Sequence, residues 1–209
     1  MSRSSCTRGA PPGRHHRSPL WLRCWGGLLV LLLAATVCAD SRADARVPMP
    51  LQAQLAGRLG TFDRNFLARA GGVARVLVVH KSGNAESQAA ARSFASAILE
   101  LRQVAGLTAT VEVAPLDDGA KLAAKCRADK VALVYLSMGL EQETPQIARA
   151  LVGADVLTIG PSAQYAMSGA VVAFDIEEAR PKLIINMKSA RAQNVAFKAE
   201  LIKLARIVE

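Results

Sequence analysis

The residues that could do chemistry are few and scattered. Past residue 40 the only histidine is His80, at the end of an apolar run, and the only cysteine is Cys126. A metal site needs two or more His, Cys or carboxylate ligands at set spacing, and nucleophilic catalysis needs a base beside its nucleophile. Neither arrangement occurs here. The acidic pairs Asp117-Asp118 and Glu177-Glu178 are adjacent in sequence, so their side chains diverge. They read as a helix cap and a solvated turn. No Gly-x-Ser-x-Gly elbow, Walker loop or Gly-x-Gly-x-x-Gly fingerprint is present. These patterns name no catalytic residue, no metal ligand and no cofactor. His80 reads as a hydrogen-bonded strand-end residue. Cys126 reads as a small buried or half-buried thiol on a helix face, with an intermolecular disulfide or a reactive thiol as the alternative.

Binding residues are easier to nominate. Ser82, Gly83 and Asn84 follow one apolar run, Ser137 and Gly139 follow a second, and Gly160, Ser162 and Gln164 follow a third. Small hydroxyls and free backbone N–H groups at helix starts suit a small neutral or anionic ligand. The same residue types are what strand-to-helix turns need for capping, so both readings stay open. Glu86, in the first turn after Asn84, opposes a bound phosphate. Tyr135, Met138, Tyr165 and Met167 are either core residues or the rim of a crevice.

The elements that would position these loops follow from periodicity. Val73–His80 is almost continuously apolar and rich in β-branched residues, the habit of a strand buried on both faces. A helical pattern follows from Ala85 to Val104, with Asn84 as its cap and Gly106 as its stop. Thr108–Val113 alternates like an outer strand with one wetter face. Asp117-Asp118 cap a short helix through Leu122, Ala123 and Cys126. Val131–Leu136 and Val156–Ile159 are further buried strands. Thr144-Pro145 opens a helix between them, ended by Gly153. Pro161-Ser162 begins another of one or two turns.

Ala170–Ile176 and Lys182–Met187 are separated by too few residues for a crossover helix, so they pair as a hairpin. Leu51–Leu67 is a first helix, and the chain should finish on a helix with Phe197, Leu201, Leu204, Ala205 and Val208 on one face. Right-handed crossovers then give an α/β three-layer sandwich. Its mostly parallel sheet has order 2-1-3-4 and is extended by the C-terminal hairpin, like a flavodoxin-like or periplasmic-binding-protein-like half. Ligands of such sheets bind beyond the carboxyl ends of the strands, where the strand order switches.

The formal charge of +9 does not describe the mature chain. Five of the 26 basic residues (Arg3, Arg8, Arg14, Arg17, Arg23) precede residue 40 and no acidic residue does. Without them 21 basic and 17 acidic residues remain, a net of +4. That spread-out excess, with few aromatics, argues against nucleic-acid binding. The basic stretch leads into the apolar run Leu28–Ala35 and then Val37-Cys38-Ala39, the pattern of a cleaved export signal over residues 1–39. Acylation at Cys38 is the less favoured alternative. A flexible tether is expected over 40–50 and a single soluble domain over 51–209, acting outside the cytoplasm. The lone mature cysteine excludes an internal disulfide and leaves a homodimer open.

The C-terminal third carries a more specific pattern. Gly169-Ala170-Val171-Val172 is followed by Leu183-Ile184-Ile185-Asn186-Met187-Lys188-Ser189-Ala190-Arg191, and then by Leu201-Ile202-Lys203-Leu204-Ala205-Arg206-Ile207-Val208. This close resembles that of YfiR-family proteins, which end on a hairpin, a short turn of helix and a last leucine-rich helix. The resemblance implies a small periplasmic protein without enzymatic activity. Its partner would be the periplasmic domain of a membrane signalling protein such as a diguanylate cyclase, tying it to cyclic-di-GMP output. Redox-responsive members of that family use paired cysteines, of which Cys126 is the single counterpart here. The remaining alternative is a single-lobed solute-binding module that uses the three strand-to-helix loops.

Overall fold

The computed structural model describes residues 46–209. The expected leader, Cys38 and the first part of the tether lie outside the described residues. The chain runs through α1 (Met49–Phe62), α2 (Phe66–Ala70), β1 (Val73–Lys81), α3 (Ala85–Leu101), β2 (Gln103–Val104), β3 (Leu107–Leu116), α4 (Gly119–Ala128) and β4 (Leu133–Leu136). It continues through α5 (Thr144–Ala150), β5 (Leu157–Gly160), α6 (Ala163–Met167), β6 (Val172–Glu177), β7 (Arg180–Asn186), α7 (Met187–Ala192), α8 (Ala199–Leu204) and β8 (Arg206–Val208).

These strands form one sheet in the order β2-β3-β1-β4-β5-β6-β7-β8. β1 lies parallel between β3 and β4, β5 follows β4 in parallel, and β6 and β7 pair antiparallel. The expected 2-1-3-4 core with its hairpin is therefore the fold, extended at both edges. Two-sided burial explains the apolar runs. On β1, Ala74, Val76 and Val78 pack into one core with α1 and α3, while Leu77 and Val79 pack into the other with α4 and α5. Each face of the strand needs its own apolar residues, so the run cannot alternate with polar ones.

Tyr135 joins the strand layer to the N-terminal residues. It is fully buried and its ring stacks on Phe94, with centroids 3.6 Å apart. Its hydroxyl donates to Gln52 Oε1 at 2.7 Å, and Gln52 Nε2 donates to the Val47 carbonyl at 2.7 Å. Val47 is buried as a result, so the loose tether read over 40–50 ends before Val47.

Four further expectations need correction. The helix read over Leu51–Leu67 is two helices with an elbow at Asp63-Arg64-Asn65. The helix read through Val104 ends at Leu101, because Arg102 turns left-handed and Gln103–Val104 fold back on β3. The hairpin turn is only Glu178-Ala179, both at positive φ, so Arg180 and Pro181 belong to β7. The final helix stops at Leu204, and Arg206–Val208 add a parallel strand beside β7 instead. There Arg206 bonds Glu177 and Asp175 of β6 across β7, and Leu204 is left exposed.

One buried polar network holds the elbow, the approach to β5 and the C-terminal segment together. Arg69 donates through Nη1 to Asp63 Oδ2 at 2.7 Å, through Nε to Asp155 Oδ1 at 3.0 Å and through Nη2 to the Asn194 carbonyl at 2.9 Å. Asp63 Oδ1 in turn accepts from the Asn65 and Ala196 backbone N–H groups. The Arg69 and Asp63 side chains are 2% and 0% exposed, so nothing but these partners can satisfy them. Removing one member leaves an uncompensated buried charge, which costs about 3–5 kcal/mol. Arg69→Met should therefore lower unfolding stability in urea by about that amount, whereas Lys121→Ala, in an exposed pair, should change it by under about 1 kcal/mol. Equal effects would remove the network from its structural role.

Candidate functional site

The strand order reverses between β3 and β4 on either side of β1, so the loops after β1 and β4 face each other at the carboxyl end of the sheet. They enclose a small crevice of about 150 Å³ lined by Asn84, Glu86, Ser87, Met138, Gly139 and Glu141, with Arg46 across it. Arg46 donates to the Met138 sulfur at 2.6 Å, which brings the N-terminal segment over the opening.

The polar groups beneath the crevice are engaged in building it. Asn84 Oδ1 accepts from the Ser87 N–H at 2.8 Å, which caps α3 as its sequence position implies. Ser87 Oγ accepts from the Lys81 N–H at 2.9 Å. Ser137 is fully buried and donates to the Ser87 carbonyl at 2.7 Å. These bonds close the β1 loop onto the β4 loop. Lys81 and Glu143 add an ion pair of 2.9 Å between the same two segments.

The nominated residues therefore separate. Asn84 lines the crevice and Ser137 lies under it. Ser82 donates to the Leu116 carbonyl of β3 at 2.6 Å, and Gly83 turns beside it at φ +72°. Ser162 starts α6 without a side-chain capping bond, and Gln164 is exposed and bonds Ser168. Neither of these two reaches the crevice, because Tyr165 stands between. Tyr165 is fully buried, its hydroxyl donates to the Ser137 carbonyl at 2.7 Å, and it accepts from the Leu140 N–H at 3.1 Å. Gly160 makes room for that ring: a Cβ there would sit 2.2 Å from Tyr165 Cβ. Glu86 and Met138 were visible as loop residues. Arg46 was not, because its place depends on the Val47–Gln52–Tyr135 anchor.

Burial sets the electrostatics. Desolvation holds the Tyr135 and Tyr165 phenols above the ordinary tyrosine range. Burial, with a smaller contribution from Asp129, pushes the Cys126 thiol up to about 12. Such a thiol stays protonated and inert at neutral pH. His80 is buried at its strand end, with Nδ1 3.2 Å from the Lys81 carbonyl oxygen. Among the described residues no group of three or more His, Cys, Asp or Glu could hold a metal ion.

Three comparisons bear on these loops. A family model described as YfiR/HmsC-like matches residues 70–206. No curated protein matches the sequence. Among solved structures, the chain is similar to an ABC domain in complex with L-Trp from Streptococcus pneumonia, with a TM-score of 0.50 and 13% identity over 72% of this chain and 62% of that one. It is also similar to the ligand-free, open form of a substrate-binding protein with adhesive properties from Clostridium difficile, with a TM-score of 0.51 and 10% identity over 69% and 57% of the two chains. The chain thus spans about three fifths of the length of each of these two structures, and at such identity the likeness shows the fold.

Two outcomes follow for the buried groups. Cys126 in the native protein should resist a thiol reagent at pH 8 and react at once in urea; rapid native labelling would contradict its burial. A thiol whose folded pKa is raised contributes stability below its unfolded pKa and loses it as pH climbs through the folded value. Between the ordinary thiol range and about pH 12, it should therefore steepen the loss of stability by about 1.4 kcal/mol per pH unit. Cys126→Ala should flatten that alkaline slope, and an unchanged slope would refute the assignment.

Proposed function

The chain belongs to the YfiR/HmsC-like family of regulatory periplasmic proteins, and from that membership we propose that it is an exported, non-enzymatic regulator. In this reading it binds the periplasmic domain of a membrane signalling protein, a diguanylate cyclase or a similar sensor, and restrains its output. The observation that carries the reading is the family match, which runs from the end of α2 to the start of β8 and so takes in the whole sheet core. The site geometry agrees with it. The Ser87 and Ser137 hydroxyls and the Asn84 Oδ1 at the switch in strand order are already bonded to the protein, and burial holds the Tyr135 and Tyr165 phenols protonated. No helix among the described residues is long and apolar enough to cross a membrane.

A single-lobed solute-binding module is the second reading. It is favoured by the crevice between Asn84 and Gly139, which occupies the place where open α/β sheets take ligands. It ranks lower because that crevice measures about 150 Å³, while small-molecule pockets run from about 300 to 1,000 Å³. A solute present at ten times its dissociation constant would add about 1.4 kcal/mol of stability, visible as a thermal shift. Amino acids, purines and small anions should give none.

Affinity purification of the tagged chain from detergent-solubilised membranes should recover a membrane protein with an exported sensor domain. Deleting the chain should raise cellular cyclic-di-GMP. Recovery of no membrane protein, together with unchanged cyclic-di-GMP, would reject the regulatory reading.

A further inference from the structure

We propose that the partner engages a groove between α5, the end of α6 and α7, and that the element seated there is a segment with an apolar anchor flanked by acidic residues. This rests on the partner-binding reading above and gives it a surface.

The groove has a volume of about 310 Å³ and shares no residue with the crevice at the carboxyl end of the sheet. Val152 and Met167, from two different segments, line it while 56% and 58% exposed. Large apolar side chains that converge on one concavity and stay in water mark an interaction site. Leu67, Leu99 and Leu204 are exposed elsewhere and do not line the groove.

Charge selects the occupant. Arg149 and Lys188 stand on opposite walls of the groove, on α5 and α7, and neither has an acidic partner among the described residues. Glu209 is the one acidic side chain on the lining, and it forms no ion pair among those residues either. Two exposed apolar side chains in one groove with two unpaired cations are complementary to an apolar side chain with Asp or Glu on either side of it. The concave shape fits one protein segment better than the flat surface of a bilayer. The walls are firm. Asn186 donates to the Ala166 carbonyl at 2.9 Å and accepts from the Ser189 N–H at 2.8 Å, tying α7 to α6. Buried Gln193 accepts from Thr158 of β5 at 3.0 Å. A preformed groove of this kind loses little freedom on binding.

The test places a photo-crosslinking phenylalanine analogue at Val152, Met167, Leu67 or Leu99 of the full exported chain in living cells. Crosslinks from positions 152 and 167 to a membrane protein, mapped to a segment that combines Asp or Glu with an apolar residue, would support the proposal. The yield should then fall about tenfold in Arg149→Glu/Lys188→Glu, and equally in Ser189→Trp, which fills the groove without altering charge. Both variants should keep the urea midpoint of the parent, which separates lost docking from lost folding. Crosslinks from 67 or 99 but not from 152 or 167 would overturn the surface and leave partner binding intact. Crosslinks from 152 to a second copy of this chain, or flotation of the chain with phosphatidylglycerol vesicles that the double reversal abolishes, would overturn the occupant. No crosslink from any position would count against the surface and the regulatory reading together.

Discussion

The buried contact between Arg69 and Asp63 is the constraint on which the closure of the domain depends. A guanidinium and a carboxylate cannot leave water unless every donor and acceptor around them is met. Here the requirement is met by the Asn194 carbonyl, Asp155 and the Asn65 and Ala196 N–H groups, so three stretches distant in sequence must arrive together. The elbow between α1 and α2, the approach to β5 and the segment that leads into α8 are positioned by one another. The Arg64 N–H to the Ala196 carbonyl and the Lys198 N–H to the Phe62 carbonyl continue the seam as backbone pairing. The apolar cores supply most of the driving force; this network selects which arrangement of the termini they stabilise.

The sheet then decides where chemistry could occur. Its order opens a crevice beyond β1 and β4, yet Tyr165, Ser137, Ser87 and Asn84 fill the space and bond one another there. The fold has the ligand-binding topology of open α/β sheets with the ligand position largely taken up by its own side chains. What stays uncommitted is surface: exposed apolar side chains and unpaired cations around a firm groove. The proposed partner would engage that uncommitted surface.

Much of this was legible in the sequence, and the reasons are local. The almost continuous apolar run of β1, the caps Asn84 and Asp118 and the short link before Lys182 each encode their structure within a few residues, so strand order and hairpin followed. The missed features are those decided at long range. Leu201, Leu204, Ala205 and Val208 keep helical spacing, but pairing of Ile207 with Ile185 and the bonds from Arg206 to Asp175 and Glu177 outweigh another helical turn. Asp63 sits inside a stretch that reads as one helix and Arg69 just past its end, and nothing local shows that Asn194 and Asp155 will meet them. Of the nominated binding residues, Asn84 and Ser137 belong to the crevice. Ser82 and Gly83 turn toward β3, where Ser82 bonds the Leu116 carbonyl, and Ser162 and Gln164 are kept off by Tyr165, whose width is not encoded in loop spacing. The Arg149–Lys188 groove was unreadable for the same reason, since it joins two helices that sequence cannot place side by side.

Hydrogen–deuterium exchange on the full chain, alone and with solubilised membranes of its own cell, addresses the central claim most directly. The account predicts slower exchange in the membrane sample over α5 to α7, with the loops at 81–84 and 137–141 unchanged. Exchange that membranes leave untouched, but that a small solute slows at those two loops, would contradict it.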